Sequence, residues 1–219
     1  MIGLGLVLGL HWITYFMAIQ VAGVAVGMIS FFTFPIMIVL IEPLFSRNGW
    51  KISDLILALL VFIGIVIIAP EFDPDSEIVQ GIFWGMLSAL LFSLRTIFSK
   101  RYVQEYDGIT VMVYQFPAAA LAAMPFYMQN PEPVSGNNWI LMIILGLFGT
   151  ALGHILLVMS LDTLKPATYG ILSASTPFLG ILWAVVVLQE FPDVKIYIGG
   201  TLVLGTAVYE AWRTLKQAD

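Results

Sequence analysis

Long apolar runs separated by short polar stretches set the class of this chain. A helix needs roughly 20 apolar residues to cross a hydrocarbon layer about 30 Å thick. Residues 1–41 carry no charge, and as one helix at about 1.5 Å per residue they would be about twice too long. The run must fold back, and Gln20-Val21-Ala22-Gly23, with an amide and a glycine, is the expected break. Helices are therefore predicted over about 2–20 and 24–45, then 53–69, 80–99, 108–128, 139–161, 166–189 and 194–212. Pro70 closes the third, and Pro166 stands at the first turn of the seventh, where a missing N–H costs nothing. An acidic loop (71–79) and a turn-rich stretch (130–138) separate the longer runs. The pattern predicts an all-α polytopic membrane protein with eight transmembrane helices.

Composition agrees. Of 219 residues, 60% are hydrophobic and 11% charged, against roughly 25% charged in soluble domains. That excludes a soluble enzyme, a nucleic-acid binder and a disordered chain. The net charge of −5 says less than where the cations sit. With a cytoplasmic start, the inner segments hold Arg47, Lys51, Lys100, Arg101, Lys165, Arg213 and Lys216, and the outer loops only Lys195. This bias predicts both termini inside, in the inner membrane of the cell. The chain has no cysteine, so disulfides and thiolate metal sites are out. Met1 leads straight into an apolar run with no basic region before it, which reads as no cleavable leader.

The chain also repeats itself. An offset of 142 aligns Met17 with Met159, Ala25 with Ala167, Ile29 with Ile171 and Pro35 with Pro177, and sets Thr33 against Ser175. One residue of slack brings His11 onto His154. The first copy enters from inside and the second from outside, so the repeats are inverted, as in many secondary carriers. The expected organisation is a three-helix first repeat over 1–70, an outer acidic loop over 71–79, a five-helix second repeat over 80–213 and an inner tail over 214–219. On this reading the first copy lacks a helix pair of about 60 residues, judged by the stretch between the third and sixth helices.

Several segments resemble the EamA-type branch of the drug/metabolite transporter superfamily. They are His11-Trp12-Ile13-Thr14-Tyr15-Phe16-Met17-Ala18-Ile19-Gln20, Thr33-Phe34-Pro35, Glu42-Pro43-Leu44-Phe45, Gly85-Met86-Leu87-Ser88-Ala89-Leu90-Leu91-Phe92-Ser93 with Ser99-Lys100-Arg101, and Ser173-Ala174-Ser175-Thr176-Pro177. The resemblance covers essentially the whole chain. It implies two inverted five-helix repeats and transport of small metabolites such as amino acids or nucleobases, often outward. Relative to that pattern the first two helices are missing, which implies a need for a partner copy or an upstream polypeptide.

Residues able to carry chemistry are few. Pro35 and Pro177 each free a backbone carbonyl inside a helix. Hydroxyls precede both: Ser30 and Thr33, then Ser173, Ser175 and Thr176. These breaks either line a cavity between the repeats or are packing kinks whose hydroxyls bond their own helix. His11, flanked by Trp12 and Tyr15, falls near the midplane, and His154 falls nearer the inner face. Intramembrane imidazoles bind substrate, relay protons, or link helices. Arg95 either reaches the inner interface, pairs with Glu42 as a gate, or attracts an anionic substrate. Gln115 is a cavity polar group or a helix link. Gly5-xxx-Gly9 and Gly149-xxx-Gly153 are expected helix-packing faces.

No catalytic residue, metal site or cofactor is predicted, and no Walker motif offers ATP-driven transport. Expected partners are the bilayer, a small-molecule substrate, a coupling proton or exchange substrate, and a second copy in a homodimer; nucleic acid is not among them. The leading function is a secondary carrier working by alternating access. The alternatives are a non-transporting subunit that needs a partner chain and, less favoured, an intramembrane enzyme.

Overall fold

The computed structural model describes residues 1–45, 49–68, 73–129, 136–164, 166, 169 and 176–216. Its helices are α1 (Ile2–Phe31), α2 (Phe34–Phe45), α3 (Ile52–Ile68), α4 (Glu77–Tyr102), α5 (Gly108–Gln129), α6 (Gly136–Ile144), a π-helical stretch (Leu145–Leu152), α7 (Gly153–Thr163), α8 (Thr176–Leu188) and α9 (Val194–Lys216). No strand occurs among the described residues. Ile2–Phe31, Glu77–Tyr102, Gly108–Gln129 and Asn138–Thr163 are long and apolar enough to span a membrane, and four shorter apolar helices accompany them. Large side chains such as Phe62, Phe148 and Trp183 face outward, as expected where the solvent is lipid.

The uncharged first run breaks where expected. Gly23 takes φ 81°, ψ 167°, a conformation open to glycine and strained for other residues. The chain doubles back there, so that Gly27 lies against Ile19. The second limb of α1 ends at Phe31, because Pro35 has no N–H to give the Phe31 carbonyl. After the Phe32-Thr33 turn the helix restarts as α2, with Met37 N–H donating to the Thr33 carbonyl at 3.1 Å.

Other boundaries move outward from their predicted places. α4 starts at Glu77 rather than near 80, because an Asx turn (Asp75 N–H to Asp73 Oδ1, 3.0 Å) hands the chain to Ser76 as N-cap. α6 starts at Gly136, and α9 runs on to Lys216. Most of the predicted 166–175 portion of the seventh helix lies outside the described residues.

Helices approach closely where side chains are small, since lipid provides no hydrophobic drive between them. A β-carbon on Gly5 would sit 2.4 Å from the Gln115 carbonyl oxygen, and one on Gly9 would sit 2.5 Å from that of Ala119. This seats the first limb of α1 on α5. Gly81 and Gly85 of α4 likewise meet Ala22 and Ser30, and Gly64 of α3 meets Gly199 of α9. Gly153, by contrast, has nothing within 4 Å of its would-be β-carbon, so Gly149-xxx-Gly153 is not a helix-packing face among the described residues.

Basic groups gather at one end of the bundle. Lys100 donates to the carbonyls of Leu161 and Asp162, Arg101 to that of Phe45, and Arg213 to Ser53 Oγ. The ends of α2, α4, α7 and α9 and the start of α3, all assigned to one side by the charge pattern, are thus neighbours.

Candidate functional site

A cavity of about 440 Å³ opens between both limbs of α1, α4, the α6–α7 span and α8. That is a ligand-sized volume. Its wall is largely aromatic: Trp12, Tyr15 and Phe16 from the first limb, Phe31, Phe32 and Phe34 around the break, Phe92 from α4, and Tyr169. The aromatic wall follows from the break at Phe31–Phe34, which ends the helix and turns Phe31 and Phe34 against Phe92, with ring centroids 5.3 and 4.9 Å away, while Phe32 packs on both of them. The opposite wall is the π-helical stretch, where Leu145, Gly146, Gly149 and Thr150 border the cavity. The wider π turn, with two glycines, leaves room that a regular helix with side chains would fill.

Polar groups sit at defined points of this wall. His11 Nδ1 lies 2.7 Å from Ser88 Oγ and 3.2 Å from the Ser88 carbonyl, while Ser88 Oγ donates to the His11 carbonyl at 3.1 Å. A hydroxyl that gives its proton to one acceptor must receive at its own oxygen, so His11 carries its proton on Nδ1. Trp12 Nε1–H donates to His154 Nε2 at 3.1 Å. This bond joins residues 142 apart, the repeat offset read from the sequence, and puts the two side chains at one depth. Behind it lies Arg95, fully buried. Its Nε donates to Gln115 Oε1 at 2.9 Å, Nη2 to Met112 Sδ at 3.0 Å, and Nη1 lies 3.4 Å from His154 Nδ1.

The predicted site residues therefore divide into groups. His11, Trp12, Tyr15, His154 and Thr176 border the cavity. Arg95 and Gln115 form a buried layer behind His154, and Gln115 also reaches Ser99 Oγ at 3.4 Å. Arg95 is fully buried rather than at an interface, and its guanidinium turns toward α5 and α7, so that its partners among the described residues are Gln115, Met112 and His154. Ser30, Thr33 and Pro35 are buried at the break but do not border the cavity. Thr33 Oγ1 bonds back to the Ser30 carbonyl at 2.8 Å, and Ser93 Oγ of α4 donates to the Phe34 carbonyl at 3.1 Å. Ser30 Oγ is buried without a partner among the described residues. Ser173 and Ser175 lie outside the described residues, and Pro177 stands in the first turn of α8. Among the described residues no group of three His, Cys, Asp or Glu could hold a metal ion.

Sequence reasoning passed over Ser88, Phe31, Phe92, Thr150 and Tyr169. Ser88 and Phe92 fall within Gly85–Ser93, a segment picked out for its resemblance alone. Phe31 was legible in principle, since a proline fixes which residue ends the preceding helix. Thr150 and Tyr169 carry no signal in a pattern of apolar positions.

Comparison with known proteins gives the chain its family. Residues 79–209 match the EamA-like transporter family. A protein of Archaeoglobus fulgidus named an uncharacterized transporter is 23% identical over 78% of this chain and 61% of its own length. A Bacillus subtilis protein named likewise is 21% identical over 91% and 65%. A Rickettsia conorii protein named an S-adenosylmethionine uptake transporter is 22% identical over 94% and 69%. The chain thus spans less than two thirds of the first two of these relatives. A solved crystal structure superposes with a TM-score of 0.66 at 22% identity, over 94% of this chain and 74% of that one, which carries the fold. With its family model covering more than half of its length, the chain belongs to the EamA-like transporter family and is a multi-pass membrane protein.

Proposed function

We propose that this chain forms the substrate path of a secondary carrier for a small metabolite, and that the aromatic cavity is its binding site. The observation that carries this reading is the position of the cavity: it is bounded by α1 and by the α6–α7 span, whose Trp12 and His154 are joined at the repeat offset. A site where two inverted halves meet can be exposed first to one side and then to the other by rocking one half against the other. The family and the relatives named as transporters support a carrier. With no nucleotide-binding motif in this chain, the proposed drive is an ion gradient, exchange or the gradient of the substrate itself. Export or exchange of an amino acid or related compound is the working assignment, in the inner membrane with both termini inside. S-adenosylmethionine joins the compounds to screen because of the Rickettsia relatives.

The test is transport by membrane vesicles containing the full chain, over a panel of labelled amino acids, nucleobases and S-adenosylmethionine, beside Thr150→Trp, which fills the cavity. Expected is a chain-dependent flux of one panel class that the variant lowers at least tenfold while folding normally. Flux unchanged by a filled cavity overturns the assignment of the site. Reporter fusions after 49 and 103 should read inside and those near 74 and 134 outside; one reversal breaks the proposed topology.

A further inference from the structure

The polar end of the cavity holds more donors than acceptors. Neutral imidazole has one N–H and one lone pair. Trp12 Nε1–H can only donate, so its bond to His154 Nε2 places the His154 proton on Nδ1. Arg95 Nη1 then faces that proton across 3.4 Å with a donor of its own. Indole and guanidinium compete for a single lone pair, and whichever tautomer forms, two of the three donors, the imidazole N–H and one of its neighbours, are left without an acceptor in this cluster. Arg95 is also a fully buried charge with no carboxylate partner among the described residues: it has an amide oxygen, a thioether and the contested imidazole. A buried cation is stable when paired with an anion. Both deficits are met by the same missing group, an oxyanion.

We infer that Trp12, His154 and Arg95 form an oxyanion clip that takes the carboxylate of a substrate with a flat, apolar body. In the empty site His154 accepts from Trp12. In the loaded site the imidazole proton leaves Nδ1 and one returns at Nε2, with no net change. His154 Nδ1 then accepts from Arg95 Nη1, and Trp12 Nε1–H and His154 Nε2–H both donate to the carboxylate. One guanidinium is neutralised by one carboxylate, so a monoanion fits better than a phosphate dianion. The rest of the substrate lies between the rings of Tyr15, Phe31 and Phe92, which offer faces to a flat group. This inference rests on the cavity being the substrate site proposed above.

The chain has only two histidines, His11 and His154, so ¹⁵N-histidine labelling of the full chain in a neutral detergent reads each tautomer directly, with His11→Gln as the assignment control. The probe is 3-phenylpropionate, beside its amide, its amine analogue 3-phenylpropylamine, and phenyl phosphate. Expected is exchange of the protonated and unprotonated nitrogen signals of His154 on adding the carboxylate, with at least tenfold tighter binding of carboxylate than of amide, amine or phosphate. Arg95→Gln should bring carboxylate and amide within threefold of each other. The wild-type titration stands even if that variant fails to fold. Equal binding of carboxylate and amide, tightest binding of the phosphate, or an unmoved His154 tautomer at saturation overturns the clip. A tautomer change on moving the probe-free chain into phosphatidylglycerol nanodiscs also overturns it, by assigning the oxyanion to a lipid headgroup. If no probe binds while Thr150→Trp still abolishes flux, the clip falls and the carrier reading stands; if the carboxylate binds as expected and no flux is found, the reverse holds.

Discussion

Gly5-xxx-Gly9 and Gly149-xxx-Gly153 are the same motif in sequence, with opposite fates. The first is pressed against the backbone of α5, with no room for a β-carbon at either glycine. The second lies in and just after a π-helical wall: Gly149 borders the cavity, and the position of a Gly153 β-carbon is open. A small residue permits close approach but does not say what approaches, another helix or a space. The α1–α5 side is therefore the packed face of the molecule, and the α6–α7 side the one built around a void.

The contrast breaks first, and hardest, at Gly9. A methyl there meets a backbone carbonyl oxygen at 2.5 Å and the Ala122 methyl at 2.7 Å. Backbone cannot turn aside as a side chain can. Gly9→Ala should cost about 1–3 kcal/mol, read as a lower midpoint in thermal or detergent unfolding. Wild-type stability in Gly9→Ala would show that α1 and α5 are not in contact there. Gly149→Leu is the counterpart on the open side. It should not lower the unfolding midpoint, because the new β-carbon meets only the flexible Leu145 Cδ1, at 3.0 Å, and the rest of the side chain can extend into the cavity that Gly149 borders. If the cavity is the substrate site, the same variant should lower flux at least tenfold. A large loss of stability would mean that this wall is packed after all.

How much of this was legible beforehand follows from the same residues. Breaks, order and approximate ends of the helices were readable, because lipid forces backbone bonding within each segment and leaves Gly23 and Pro35 as the points where it fails. The packing of Gly5 and Gly9 was readable as a motif. The emptiness beside Gly149 was not, since an absent neighbour leaves no mark in the local sequence. His11, Trp12, Tyr15 and His154 were found because polar atoms in an apolar run are costly. What they bond was not: Trp12 pairs with His154, and His11 with Ser88, across separations of 142 and 77 residues that only the fold closes. For Thr33 the sequence left two readings open, and its hydroxyl takes the local one, bonding back to the Ser30 carbonyl that its own N–H also reaches.

Gly153→Ala sharpens the contrast at lower amplitude. With no atom within 4 Å of the new methyl, only backbone freedom changes, and alanine restricts it more than glycine does. The variant should be more stable by about 0.5–1 kcal/mol, the opposite sign to Gly9→Ala. A loss of stability would place an unseen neighbour, such as a second copy, against this face.

The smallest effect is expected at Asp107, which holds the start of the helix that Gly5 and Gly9 pack on. Asp107 Oδ2 accepts from Thr110 Oγ1 at 2.6 Å and Oδ1 from Thr110 N–H at 2.9 Å, an N-cap on α5. These bonds, the side-chain one foremost, hold the carboxyl below its ordinary 3.8. A group depressed on folding contributes stability that is full above its unfolded value and is lost as pH falls through the folded one. Asp107→Asn should therefore lower the unfolding midpoint slightly at neutral pH, and the difference from wild type should close as acid passes below 3.8. The site is fully exposed and its charge screened, so the shift should be well below that of Gly9→Ala. A gap of equal size at neutral and acid pH would show that the carboxylate charge plays no part in the cap. A gap as large as that of Gly9→Ala would show that the packed face depends on how α5 begins as much as on the two glycines.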